Sequence, residues 1–168
     1  MGDIAKAAGI SRQALYLHFA SRAELLVATT HYVDQVRGLH ERNSSWRAAE
    51  TGTKLLETYV EFWAHYIPEI YGLGRALLAV RDTDEAAATA WDDRMVSLRK
   101  GCRRTVEALE REGLLAAEWT CDEATDIFWT ILSLRNWEQF TVECGWSLEQ
   151  YITRTQRLLK RVLIQQTR

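Results

Sequence analysis

Proline is nearly absent: one residue, Pro68, in a chain of 168. Proline interrupts helix hydrogen bonding, so this scarcity, against a usual ~5%, predicts long unbroken helices. Cysteine is scarce too. Cys102, Cys121 and Cys144 are odd in number and widely spaced, which speaks against a disulfide framework and for a reducing, cytoplasmic setting. Long apolar runs are missing. The longest covers residues 76–80, far short of the ~20 residues that span a bilayer, and the first residues show no charged-then-apolar signal pattern. His18, His31, His40 and His65 share no metal-ligand spacing with each other or with the cysteines. No Ser/His/Asp or Cys/His arrangement has local support, and no glycine-rich phosphate loop occurs. No metal, no cofactor and no enzymatic activity are therefore expected. A strong excess of one charge is lacking as well. At a net charge of −2, nucleic-acid binding has to come from a local basic patch.

What is present is ordinary globular material, 47% hydrophobic and 26% charged, with seven tryptophans. The length suits one compact domain, or one domain with a small appendage. Helical periodicity dominates and no stretch alternates as a strand does, so the fold class is all-α. Leu25, Leu26, Thr29, Tyr32, Val33, Val36 and Leu39 form one helical stripe, with Ser21 as N-cap and Glu24 completing a capping box. After a break at residues 42–45, a helix is expected over 48–67, ended or kinked by Pro68, then a shorter one over 69–80. Asp82 or Thr83 is expected to cap the next helix, which carries Trp91, Met95, Leu98, Cys102, Val106 and Leu109. Gly101 inside it points to a close helix contact or a kink, and Gly113 to its stop. A further helix from Thr120 or Asp122 is expected to run to Gly145 with Phe128, Ile131, Leu134 and Trp137 inward. Ser147 caps the last, whose stripe is Leu148, Tyr151, Ile152, Thr155, Leu158, Leu159, Val162 and Leu163.

The first twenty-five residues are the most specific. Residues 3–19 read as a short helix, a turn at Gly9 and a second short helix. Gly9 supplies the positive φ such a turn needs, Ile10 fills the angle between the helices, and Ser11 caps the second. Leu15 and Phe19 face inward, leaving Arg12, Gln13, Tyr16, Leu17 and His18 outward. That is the pattern of a helix-turn-helix whose second helix enters a DNA major groove N-terminus first.

At Ile4-Ala5, Ala8-Gly9-Ile10-Ser11, Leu15-Tyr16-Leu17-His18-Phe19, Ser21-Arg22 and Leu25-Leu26 the sequence resembles the TetR family of transcriptional regulators. The resemblance is dense over about 25 residues and extends to the rest only as a chain of helices. It implies a TetR-like all-α fold. Residues 1–42 would form a partial DNA-binding region with its connecting helix, and residues 43–168 a ligand-binding and dimerisation domain. It also implies a homodimeric, repressor-like regulator on a pseudo-palindromic operator, released by a small-molecule inducer. Ser11 and the outward Arg12, Gln13, Tyr16 and His18, with Arg22 at the next helix start, become the DNA-binding residues. Gln13 and Arg12 suit base edges, and Tyr16 and Arg22 suit phosphate. Lys6, Arg12 and Arg22 against Asp3 leave a net +2 within residues 1–22.

The family's reading head has a complete helix before this motif, and the sequence starts inside the second, so a first helix is expected to be missing. The alternative function is then a dimeric small-molecule-binding module that no longer binds DNA. Tyr59, Phe62, Trp63, Tyr66, Trp91, Phe128, Trp129 and Trp137 lie on the helices that would surround an inducer, which makes a small hydrophobic or aromatic ligand the expected partner. Each aromatic taken singly is more at home in a core, and only the set together points to a pocket. Glu57, Glu61, Asp126 and Glu138 lie near these stripes; each alone reads as part of a solvated helix face, and an acid beside tryptophan would favour a cationic aromatic ligand. The basic cluster Arg99, Lys100, Arg103 and Arg104 reads as a solvated face. The last two helices, about residues 122–143 and 148–164, are the expected dimer interface.

Overall fold

Side-chain caps set most of the helix starts. The computed structural model describes residues 1–39, 46 and 48–165, so the expected break at 42–45, the boundary at 42/43 and His40 lie outside the described residues. Among these, Ser11 Oγ accepts from the Ala14 amide at 3.0 Å and opens α2 (Arg12–His18); α1 (Gly2–Ala7) precedes it. Ser21 Oγ accepts from Glu24 N to open α3 (Arg22–Val36), while the Glu24 carboxylate takes the Ala20 amide rather than that of Ser21. Thr51 opens α4 (Gly52–Val80). The cap of α5 (Glu85–Arg111) is Asp84, not Asp82 or Thr83: its Oδ1 accepts from Ala86 N and Ala87 N. Full capping boxes at Thr120/Glu123 and Ser147/Gln150 start α6 (Cys121–Ile131) and the last helix.

Two expectations about helix extent are corrected. The helix from Gly52 does not end at Pro68; α4 passes through it as one element. Proline loses the hydrogen bond to the carbonyl of Ala64. Pro68 itself and Glu69 are exposed, while Ala64, Tyr66, Ile67 and Leu77 are buried on both sides. Packing holds the helix together across a locally unfavourable residue. Conversely, the single helix expected from residue 122 to Gly145 is broken. α6 stops at Leu132; Ser133 then caps α7 (Leu134–Glu138), and Gln139–Glu143 form a π-helical turn in which Cys144 N donates to Gln139 O at 2.8 Å. Asn136 Nδ2 donates to Thr130 O at 2.6 Å, a second bond to a carbonyl that already accepts from Ser133 N at 3.1 Å, and so ties α7 back to the end of α6. α8 (Leu148–Leu163) completes the chain.

α4 and α5 pack along each other, with α3 against α5, α6 against α5 and α8 against α4. One buried cluster contains Leu56, Tyr59, Val60, Leu98, Cys102, Val106, Leu109, Phe128, Leu159 and Leu163. A second contains Ile67, Leu77, Trp91, Leu134, Trp137 and Tyr151. Gly101 makes the close approach expected of it: a Cβ there would lie 2.0 Å from Tyr59 Oη. The stripe of α8 is largely spent inside the chain, with Tyr151, Thr155, Leu159 and Leu163 buried and Leu158 exposed. The stripe of α3 is turned from its expected face, leaving Tyr32 and Val36 exposed. Its contact with α5 is instead partly polar, through His31 and Asp34.

Candidate nucleic-acid interface and interior cavity

α1 ends at Ala8, Gly9 takes φ +68°, and Ile10 N returns to Ala5 O at 3.0 Å. These bonds fix the angle at which α2 leaves. Ala5 and Leu15 are buried between the two helices and their surroundings, whereas Ile4 and Ile10 are exposed at 38% and 42%. Ile10 therefore fills the angle only in part. Arg12, Gln13, Tyr16, Leu17 and His18 are all exposed. The Arg12 guanidinium lies 5.6 Å from the Tyr16 ring centre, so the first turn of α2 presents a cation, an amide and a phenol together. α3 begins three residues after Phe19 and belongs to both parts of the molecule.

Its other end borders a cavity of about 370 Å³, lined by α3, α4, α5, Trp46 and the α6–α7 junction and drawing on both buried clusters. Tyr59, Phe62 and Tyr66 recur every three or four residues and stack along α4, with ring centres 6.3 and 5.8 Å apart and Trp63 edge-on to each. Trp91, Met95 and Leu98 face them from α5. Tyr59 Oη donates to Leu98 O at 3.0 Å. Complete burial pushes the Tyr59 hydroxyl well above the usual phenol range.

Part of the cavity wall is a polar knot. The Asp34 carboxylate accepts from Tyr66 Oη and from Arg94 Nη1. Arg94 also donates to Asp93 at 2.6 Å, and His31 lies 3.3 Å from the same carboxylate. Burial first, and then the bond to Asp34, raise the Tyr66 pKa, keeping it a proton donor. The knot joins α3, α4 and α5 at a single carboxylate.

Residues 1–29 match the family model for bacterial regulatory proteins of the tetR family. The amino-terminal module is similar to that of the TetR family. The whole chain has the same fold as two solved structures. One is from Rhodococcus sp. and assigned to the TetR-family transcriptional regulators, with a TM-score of 0.73 at 17% identity over 96% of this chain and 86% of that one. The other is the fatty acid degradation regulator FadR from Bacillus halodurans, with a TM-score of 0.69 at 16% identity over 94% and 81%. No curated protein matches the sequence.

Within this TetR-like module, the expected DNA-facing residues fall into two groups. Arg12, Gln13, Tyr16 and His18 share the exposed surface of α2, and Ser11 is held as its cap. Arg22 stands apart. Its guanidinium is bonded to Asp84, the cap of α5, which compensates one of the three cations of residues 1–22. Of the aromatic set, Tyr59, Phe62, Trp63, Tyr66 and Trp91 line the cavity. Phe128 is a core residue edge-on to Tyr59, Trp129 packs at the margin of that core, and Trp137 packs on Tyr71.

The acids expected to draw a cation are engaged elsewhere. Glu57 binds Lys160 at 2.8 Å, Asp126 binds Arg99 at 2.6 Å, and Glu138 binds Tyr71 and Arg75, while Glu61 is exposed. The basic cluster is not uniformly solvated either. Arg99 and Arg103, one turn apart, pair with Asp126 and Asp122 of α6. Lys100 and Arg104, the next pair round the helix, are exposed as a solvated face would have them, and they also border the cavity. Asp34, Arg94, Lys100 and Arg104 were thus missed. The i, i+4 splitting of the basic cluster into two faces was the available signal.

Proposed function

We propose that the chain is a ligand-responsive, DNA-binding transcriptional regulator that works as a homodimer. The observation that supports this best is the position of α3. It starts beside α2, which exposes Arg12, Gln13 and Tyr16, and it contributes Thr30, Val33 and Asp34 to the cavity wall. A ligand that binds more tightly to one placement of α3 shifts the population towards that placement, and with it the spacing of two α2 helices in a dimer. Release from the operator follows, which makes the protein a repressor. The dimer contact is assigned to the outward surfaces of residues 122–143 and 148–164, an isologous two-fold contact.

The experiment is selection from random duplex DNA followed by gel-shift titration. A pseudo-palindromic site is expected. Gln13→Ala should relax preference at one base pair per half-site, a loss of about 1–3 kcal/mol in discrimination. Tyr16→Phe should weaken all sequences alike. If no duplex is enriched, the chain is a ligand-binding module without a DNA role. If both variants bind as the parent does, the assignment of α2 is wrong.

A further inference from the structure

We infer that the cavity takes an amphipathic anion: a single apolar chain or ring system carrying a carboxylate or phosphate head that sits between Lys100 and Arg104. This deepens the proposed function, since it rests on the cavity being a ligand site.

The charge distribution in the cavity carries the inference. Four charged side chains line it, Asp34, Arg94, Lys100 and Arg104. Asp34 and Arg94 neutralise each other, and Arg94 has a second carboxylate in Asp93. Lys100 and Arg104 have no carboxylate partner among the described residues, in contrast to Arg99 and Arg103 on the adjacent face. The rim of the cavity therefore carries two cations one helical turn apart, both exposed to solvent and neither paired with a carboxylate of the described residues.

Trp46 supplies a second, independent sign. It is 95% buried, lines the cavity, and its indole N–H has no hydrogen-bond partner among the described residues, a state shared by Trp63 in the same wall and by Trp129 and Trp137 outside it. A buried donor left unpaired costs about 1–3 kcal/mol, and an indole can only donate. The Arg104 guanidinium carbon lies 5.2 Å from the same Trp46 ring, so the unpaired donor and one of the two cations are neighbours. Donors without acceptors at one end of an apolar cavity call for a ligand that brings acceptors and negative charge. A guanidinium matches the geometry of carboxylate and phosphate alike. The remaining wall, from Phe62, Trp63, Ile70, Leu73 and Met95, is apolar and suits the body of the ligand.

The test uses intrinsic tryptophan fluorescence of the full chain at pH 7.5, titrated below micelle formation with four probes of equal chain length. These are dodecanoate, dodecyl phosphate, dodecanol and dodecyltrimethylammonium. The expected order is both anions tighter than the alcohol by about tenfold or more, with the ammonium weakest. The ratio between the two anions identifies the head. In Lys100→Gln/Arg104→Gln the preference for anions over the alcohol should vanish, while alcohol binding stays as in the parent and shows the variant to be folded. Binding of the ammonium as tightly as the anions, or an anion preference that survives in the double variant, overturns the inference and leaves the cavity as a ligand site. If none of the four binds, the inference falls together with the cavity's assigned role. Because fluorescence reads occupancy without DNA, a failure of operator release alone would count against the regulatory reading and not against the ligand class.

Discussion

Gly101 and Tyr59 depend on each other atom by atom. The missing side chain of Gly101 is the space in which the Tyr59 hydroxyl reaches Leu98 O. An added methyl would stand 2.0 Å from that oxygen and 2.4 Å from the ring carbon bearing it. Gly101→Ala gains helix propensity worth about 1 kcal/mol, but it overpacks a site with no room to yield, at a cost of roughly 1–3 kcal/mol. Displacing Tyr59 also disturbs the cavity wall. The expected outcome is a lower melting temperature and altered tryptophan emission; an unchanged or raised melting temperature would show that the ring has somewhere to go. At this scale the sequence was readable where backbone geometry forces a residue type, as at Gly9 and Gly101. It was less readable where a charged residue serves the interior. Asp34 and Arg94 look like surface residues in a hydrophobic pattern, because their burial depends on each other across two helices.

Helix boundaries follow local chemistry when the cap is a side chain within three residues. Ser11, Ser21, Thr120 and Ser147 all behave this way. Ser147→Ala removes half of a capping box and should cost about 1 kcal/mol, which in a chain of this size lowers the melting temperature by about 2–4 °C. Circular-dichroism melts measure it, and a shift of zero would mean that the start of α8 is held by packing alone. The departures have a physical reason in common. At Pro68 tertiary packing outweighs a local helix breaker, whereas at Ser133 a local cap ends a helix that the apolar pattern would have continued. Apolar periodicity reports which face is buried, but not whether the backbone stays continuous along it. The stripe of α8 shows the same limit: its pattern is equally satisfied by a partner subunit or by the chain's own α4 and α6, and Tyr151, Leu159 and Leu163 are buried within the chain.

Across the whole molecule, the amino-terminal module touches the helical body through charges as well as through the apolar Leu26 and Val27. Asp34 ties α3 to the cavity, and Asp84 ties Arg22 to α5. The bond from Arg22, followed by the amide bonds of the cap, holds the Asp84 pKa below its ordinary 3.8. A group whose folded pKa is depressed contributes stability that is whole above its unfolded pKa and is lost as pH falls through the folded value. The melting-temperature gap between the parent and Asp84→Asn, which keeps a capping side chain, should thus be constant from about pH 8 to pH 5 and close below about pH 4. A gap that persists or widens in acid would contradict this. In DNA binding, Asp34→Asn should lessen the effect of a cavity ligand on operator affinity without abolishing either binding event. Gel shifts with and without ligand measure that coupling, and an undiminished ligand effect would place the link elsewhere.

Asp84 has one more consequence. Arg22 carries its own counterion, attached to the protein and unable to diffuse away. Were Arg22 to move onto a backbone phosphate, the cation released from DNA would be partly balanced by one taken up at the bared Asp84 carboxylate. Operator binding should then depend less on salt than the number of phosphate contacts implies. In Asp84→Asn no such uptake occurs, and the slope of log K against log salt should steepen by up to about 0.9 per subunit. A parallel line would mean that Arg22 never leaves Asp84 for the DNA.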